Sequence, residues 1–388
     1  MSEKDVDVYI GKGGPVSRED YIDFINYVFG FNGVAKSFDT LLPKLYTEGC
    51  DPVGSSYIAM ENGRIKAAIG AFSHTLEVCG TPLSCRGIGN VAVHPSARSR
   101  GYMKATLGMA MDEMVEDGVD LSILGGLRAR YNYFSFEREG TTLHFRIGAE
   151  IMRHRFGTKR TSRFSYRQVK RNDEAILDEI LKLSDAQIFK PVRPREQLFD
   201  ILTSWTQVPY AVYEGDRFVG YFILGDGGIN ETQVVSADDY LEVIIGAYDH
   251  LHKRELVVSV PPFRPDFAKQ LYTFCESYDV MCSKMYSVLC YERVISAFLR
   301  LKNTYETLPD GELVLLIHGR GGEEQLLISV KDGVPSVEKT DRAPDVTLEH
   351  IEAMSLIFAP YCPDRIQLPS YARVWFPLPL YIYYSDAV

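Results

Sequence analysis

The stretch Val91–Leu107, VAVHPSARSRGYMKATL, joins an alternating apolar run to a helix through two arginines and a glycine. The run ends at Pro95, and the spacing predicts a helix beginning near Gly101. Backbone N–H groups around residues 99 to 103 then have no intrahelical partner and point outward from the positive end of a helix dipole. Such a terminus is a ready anion site. Gly101 removes the Cβ that would block close approach. Arg98 and Arg100 bring fork-shaped donors suited to phosphate oxygens. A diphosphate would satisfy all of these groups together. The same residues also read as an exposed basic loop in front of a helix, and the local pattern leaves both open.

The elements around this stretch alternate. SREDYIDFINYVF predicts a helix capped by Ser17, with Tyr21, Ile22, Ile25, Val28 and Phe29 at helical spacing. SSYIAM, ENGR and IKAAIGAF predict strand, Asn-Gly turn and strand. LEVCG to NVAVHP continues the meander. GYMKATLGMAMDEMVEDG sets Met103, Leu107, Ala110, Met111 and Met114 on one helical face and stops at Gly118. VDLSILGG is a buried strand, LRARYNYFSFE a short helix or turn, and TTLHFRI a further strand.

The middle of the chain repeats this order. YAVY-EGDR-FVGYFIL is a second hairpin, ETQVVS a strand, ADDYLEVIIGAYDHLHK a helix and ELVVSV a strand. RPDFAKQLYTFCESY is then a helix and SKMYSVLC a strand. The chain therefore reads as a duplicated fold. The second strand-to-helix junction, VVSADDYL, has neither arginine nor glycine, and Asp238 and Asp239 would repel an anion. After Tyr291 the character changes. An amphipathic helix, a meander with turns at Gly321-Gly322 and Asp332-Gly333, and a strand leading into a helix precede the apolar tail VWFPLPLYIYYSDAV.

Composition narrows the classes. Of 388 residues, 46% are hydrophobic and 24% charged, the profile of a globular protein long enough for two or three domains. The net charge of −10 argues against general nucleic-acid binding or a polybasic membrane surface. Seven scattered cysteines form no C-x-x-C pair, so a reducing, cytoplasmic setting is expected. The N-terminus carries no apolar signal segment, and no run is long enough to span a membrane.

V-A-V-x-P-x-x-R-x-R-G-Y resembles the acetyl-CoA signature of the GNAT acyltransferases, whose core is Q/R-x-x-G-x-G/A. Arg98 and Gly101 match that core, and Met103 stands where the family has a small residue. The resemblance implies a cofactor site of Val91, Ala92, Val93, Arg98, Ser99, Arg100, Gly101, Tyr102 and Met103. Backbone groups of Val91 and Val93 would meet the pantetheine arm, and residues 98 to 103 the pyrophosphate. Whole-chain order is similar to the Eis (enhanced intracellular survival) acetyltransferases, which join a GNAT domain, a degenerate copy and a domain resembling sterol carrier proteins. The implied fold class is α/β (α+β): tandem GNAT folds of mixed sheets flanked by helices, then a sterol-carrier-like α+β domain. The units would span residues 1–155, 156–291 and 292–388.

The resemblance also implies roles. Tyr131 and Phe136 fit Y-x-x-x-G-F/Y, with Ser135 replacing the glycine. The tyrosine of that pattern protonates the departing thiolate. A phenol near ~10 can protonate a thiolate whose thiol lies near ~8.5 only within a hydrogen bond. Tyr133 is the rival two residues on. Eis enzymes use the C-terminal carboxylate as base, which falls on Val388, and Asp386 is an alternative acid group on the same tail. The expected function is N-acetyl transfer from acetyl-CoA to a small-molecule, aminoglycoside-like or peptidic amine. The amine would attack the thioester directly, without a metal. The family implies a homo-oligomer, a hexamer. The alternative is a non-catalytic coenzyme A or lipid binder on the same scaffold.

Other motifs carry less. His250 and His252 lie two apart on a helix and share no face. His94 reads as a loop residue, and Cys79 and Cys85 as packing. Gly11, Gly13 and Gly14 suggest a dinucleotide loop, but its third glycine falls on Val16.

Overall fold

The computed structural model describes residues 7–33, 37–158, 160–363 and 366–388. In the first third of the chain lie β1 (Val8–Lys12), β2 (Ser56–Glu61), β3 (Arg64–Val78), β4 (Thr81–Val93), β5 (Leu121–Leu124), β6 (Glu137–Glu139) and β7 (Thr142–Gly148). The middle holds β8 (Ser165–Gln168), β9 (Phe189–Pro191), β10 (Val208–Glu214), β11 (Arg217–Gly225), β12 (Gly228–Val234), β13 (Glu255–Val260), β14 (Ser277–Met281) and β15 (Lys284–Val288). The last third holds β16 (Gly311–Gly319), β17 (Gly322–Lys331), β18 (Val334–Lys339) and β19 (Val346–Glu349). These build three mixed sheets flanked by helices, the α/β class expected from the sequence.

Local signals account for much of this. Ser17 Oγ accepts the Asp20 N–H at 3.0 Å and starts the helix Arg18–Phe31, which buries Tyr21, Phe24, Ile25 and Val28 at helical spacing. Asn62 and Gly63 both take positive φ, 50° and 72°, in the tight turn between β2 and β3. The helix Tyr102–Glu116 buries Leu107, Ala110, Met111 and Met114, and Gly118 follows with φ 67°.

The sheets are not independent. The first runs β1-β2-β3-β4-β5-β15-β6, and the second β14-β7-β13-β12-β11-β10-β8. The strand TTLHFRI, which belongs to the first unit in sequence, therefore sits in the second sheet between β13 and β14. In return β15, from the end of the second unit, fills the place between β5 and β6. Each sheet is completed by a strand from the other. The exchange also explains a local departure. The helix expected through Tyr278 ends at Tyr272, because Ser277–Met281 pairs with β7 as an edge strand.

The third sheet, β18-β17-β16-β19, packs with the helices Tyr291–Asn303 and His350–Phe358 against the first sheet. The tail runs through that junction. Leu378, Leu380, Tyr381, Ile382 and Tyr383 are buried together with Leu76, Val78, Phe189 and Phe298. Each such side chain contributes roughly 1.5–3 kcal/mol by leaving water. The tail backbone is bound as well. Leu378 N–H donates to Ile357 O at 2.7 Å, and Thr141 N–H donates to Leu380 O at 3.0 Å.

One buried cation pins the end of the tail. Arg193 Nε and Nη2 donate to Asp386 at 3.0 and 2.7 Å, while Nη1 and Nη2 donate to Glu231 of β12 at 3.1 and 2.8 Å. All three side chains are almost wholly enclosed. Tyr221 adds a 2.6 Å hydrogen bond to Glu231. Removing one partner from such a group leaves uncompensated buried charge. Arg193→Met should therefore cost about 3–5 kcal/mol in urea denaturation, far more than a surface arginine such as Arg217→Met at about 0–1 kcal/mol.

Candidate functional site

The first sheet splits where the quoted stretch begins. β4 pairs in parallel with β5 from Cys85–Leu121 to Ile88–Leu124, and the pairing stops there. On its other edge β4 continues along β3 to Val93, through a bulge in which Ala68–Gly70 oppose Gly89–Ala92. Asn90 sits in the bulge with φ 54°. Its buried side-chain amide donates to Tyr46 OH at 2.7 Å and Tyr21 OH at 3.3 Å, tying two helices to the kink. The edge of β4 beyond Ile88 is left open toward β5.

A cavity of about 1150 Å³ lies along this edge. Val91, Val93, Arg98, Ser99, Gly101, Tyr102 and Met103 line it, as do Lys104, Arg130, Tyr133 and Phe134. Ser99 and Gly101 take positive φ, 66° and 82°, and Gly101 caps the helix Tyr102–Glu116. The turn before the helix thus lies on the cavity wall, where the free N–H groups of a helix start suit an anion. Arg98 lies over Phe31 at 5.5 Å and donates to Asn32 Oδ1 at 3.2 Å. Two residues of the sequence-derived set are turned away. Ala92 faces the opposite side of β4 and packs with Phe24 and Ile25. Arg100 donates to both Glu61 oxygens at 2.6 and 2.9 Å, and Tyr102 OH bonds the same carboxylate. The cations along the cavity are Arg98, Lys104 and Arg130 instead of an Arg98–Arg100 fork.

The two tyrosine rivals are separated. Tyr133 is 68% exposed at the cavity rim, with Lys104 Nζ 4.7 Å above its ring. Tyr131 is 4% exposed and lies against Gly126, where a Cβ would come within 2.5 Å of its ring. Burial raises the Tyr131 phenol above its ordinary value, and Arg130 opposes that shift. Ser135 has φ 69°, which is the backbone state a glycine would favour there. His350 Nε2 reaches Ser135 O at 2.9 Å and holds the turn.

Val388 enters the split from the other side. A Cβ on Gly87 would lie 2.3 Å from Val388 Cγ2, one on Gly89 3.3 Å from Val388 Cβ, and one on Gly125 3.9 Å from Val388 O. The sequence Gly125-Gly126 therefore touches Val388 on one residue and Tyr131 on the next. Behind Val388 lies a second cavity, of about 480 Å³, whose lining includes Lys44, Asp51, Phe72, His74, Asp386 and Val388. Its apolar wall comes from Leu45, Pro191, Val192 and Ile201. Burial pushes the His74 imidazole down to about 4. Asp386, the alternative acid group, is held by Arg193 in the pair described above. Among the described residues, no group of three or more His, Cys, Asp or Glu could hold a metal ion.

Residues 16–137 match the family model of the acetyltransferase (GNAT) domain. By that match residues 16–137 form a GNAT acetyltransferase domain. No curated protein sequence matches the chain. Solved structures resemble it over most of its length. A GCN5-related N-acetyltransferase from Kribbella flavida is 17% identical with a TM-score of 0.61, covering 89% of this chain and 86% of its own. A probable N-acyltransferase from Enterococcus faecalis is 16% identical with a TM-score of 0.63, covering 90% and 89%. Eis1 from Mycobacterium abscessus is 14% identical with a TM-score of 0.59, covering 89% and 87%. At these identities the likeness is one of fold.

The GNAT domain keeps the anion-facing junction, and its structural counterpart in the second sheet does not. There Arg163 binds Glu214, Asp239 and Glu242 at 2.9, 2.6 and 2.9 Å. The helix Tyr240–His250 thus starts among carboxylates already engaged within the chain. Several residues around the GNAT site gave no clear signal in sequence. Lys104 had one, standing one helical turn after Gly101. Lys44, His74 and Glu61 had none, since their partners lie far along the chain.

Gly87 leaves room for a valine where a strand residue would normally project. Gly87→Ala should displace Val388 from the split while leaving the larger cavity intact. Turnover is expected to fall at least tenfold with acyl-CoA affinity, measured by calorimetry, within about twofold; a tenfold loss is about 1.4 kcal/mol.

Proposed function

We propose that this protein is an acetyl-CoA-dependent N-acetyltransferase in which an amine attacks the thioester directly. GNAT domains bind acyl-CoA and transfer its acyl group. The observation that carries the finer reading is that two cavities border one strand: Val91 and Val93 of β4 line the larger, and Val388, which packs on Gly87 and Gly89 of the same strand, lines the smaller. The larger has an anion-facing turn and an open strand edge, and the smaller ends at Val388. The open edge of β4, the φ-positive turn and the three cations suit a long ligand with a phosphate end.

In this reading Val91 and Val93 offer backbone groups to the pantetheine arm. Arg98, Lys104 and the N–H groups of residues 99 to 103 hold the pyrophosphate. The acyl-CoA supplies an activated carbonyl and a thiolate leaving group. Tyr131 donates a hydrogen bond, then a proton, to that sulfur. General acids of this kind contribute roughly 10²–10⁴-fold. The Val388 carboxylate meets the ammonium of the acceptor. The acceptor class is an amine, and the apolar wall of the smaller cavity suits one with an apolar body. A cytoplasmic homo-oligomer belongs to the same proposal.

A screen of primary amines with acetyl-CoA, read as free thiol, tests the activity. Tyr131→Phe should lower kcat about 10²-fold or more with a smaller change in KM, because the lost interaction forms mainly in the transition state. Tyr133→Phe should stay within about threefold of the parent, less than 1 kcal/mol. The reverse pattern would assign the acid to Tyr133. Adding Gly-Ser residues after Val388 should collapse transfer while acetyl-CoA binding survives; near-normal turnover would remove Val388 from the chemistry.

A further inference from the structure

We propose that Lys44 is the general base of this reaction: its Nζ takes the proton of the incoming ammonium, which the Val388 carboxylate orients. The inference rests on the reading of the smaller cavity as the acceptor side. Lys44 lies on the short helix Pro43–Tyr46, which Asn90 ties to the bulge of β4 through Tyr46. Its side chain is buried, with a relative exposure of 8%, and it lines the cavity together with His74, Asp386 and Val388.

The hydrogen bonds of Nζ fit a neutral amine. Nζ donates to Ser385 O and to Ala387 O, both at 2.7 Å. A neutral lysine has two N–H groups and one lone pair, so two carbonyls use both donors. A charged lysine has a third N–H, and those two carbonyls are its acceptors among the described residues. With both N–H groups turned to the tail, the lone pair is left for the cavity.

The charges around Nζ agree. Burial pushes Lys44 down to about 7 against the pull of Asp386, and Arg193 and Lys284 lower it further. His74, on β3, lines the same cavity within electrostatic reach of Lys44. His74 and the terminal carboxylate are weaker bases, and Cys50, also in the lining, has its thiol raised by burial and so stays protonated. His74 is pushed down to about 4, and a terminal carboxylate ordinarily titrates near ~3.5. Asp386 is engaged twice by Arg193, so protonating it would break that pair. An ordinary alkyl ammonium titrates near ~10, which places Lys44 closer to it in basicity than His74 or the carboxylate. His74 Nε2 is buried without a hydrogen-bond partner and can accept a second ammonium hydrogen without taking it.

The step balances as follows. One ammonium proton moves to Lys44 Nζ, and the freed nitrogen lone pair attacks the thioester carbonyl carbon. The C–N bond forms and the C–S bond breaks, with its electron pair leaving on sulfur. Tyr131 protonates the sulfur and regains a proton from the new amide nitrogen. Lys44 then releases its proton to water.

Lys44→Gln keeps an NH₂ donor pair for the two tail carbonyls but has no basic lone pair, and Lys44→Met removes both. The parent is first assayed with acetyl-CoA against aliphatic and aromatic primary amines, and the best acceptor is carried forward. The parent's kcat should rise with pH on a limb at or below about pH 7. Lys44→Gln should lose at least 10²-fold in kcat and lose that limb, with acetyl-CoA affinity within twofold. Turnover by Lys44→Gln within threefold of the parent would overturn the proposal. So would a loss of rate in both variants with the limb retained, which marks a structural role. Should the parent release no thiol with any amine, the acetyltransferase reading falls and this inference falls with it. A parent that turns over while Lys44→Gln does the same defeats only the inference.

Discussion

A single guanidinium has to neutralise two buried carboxylates that lie far apart along the chain. Arg193 follows β9, which pairs with the first sheet, Glu231 belongs to the second sheet, and Asp386 lies on the tail. Taken out of water, each charge alone would cost several kcal/mol. The three are stable only together, so the position of the tail is coupled to the packing of the two sheets. Lys44 and Trp205 then hold the carbonyls on either side, with Trp205 Nε1 donating to Ala387 O at 2.9 Å. Val388 is carried into the split as a consequence.

The split itself has a backbone origin. Parallel pairing of β4 and β5 ends after four residues, and the bulge at Asn90 bends β4 away. A bent strand leaves peptide groups that need partners, which water or a ligand must supply. The tail occupies the closed end of this opening against Gly87 and Gly89. The strand exchange of β7 and β15 brings Lys284 within electrostatic reach of Lys44, adding a second, half-buried lysine that desolvation pushes down to about 8. The two sheets therefore share the site as well as strands.

The two sheets differ at their strand-to-helix junctions. Asp239 and Glu242 at the second junction are paired with Arg163, so that helix start is electrostatically filled from within. At the first junction Arg100 is withdrawn to Glu61, and Arg98, Lys104 and Arg130 line the cavity. The sign of the local charge, more than the fold, separates the two.

Much of the fold was legible in the sequence. Helical spacing, the Ser17 cap, the Asn62-Gly63 turn and the contrast between the junctions at Gly101 and Asp239 are set by near neighbours. Tyr131 came from the resemblance to Y-x-x-x-G-F/Y, and the structure adds that Ser135, in the glycine's place, takes a φ of 69°. The outward face of Arg100 and the role of Arg193 were not legible, because each depends on a partner tens or hundreds of residues away. Strand exchange was equally hidden. A strand's pattern reports whether its faces are buried, and carries no label for the sheet that buries them. The sequence by itself determined the elements, their order and one anion-facing turn. Only the tertiary structure decided which strands completed which sheet and where the tail came to rest. That outcome follows from pairing buried charges and strand edges across long separations, which local chemistry does not encode.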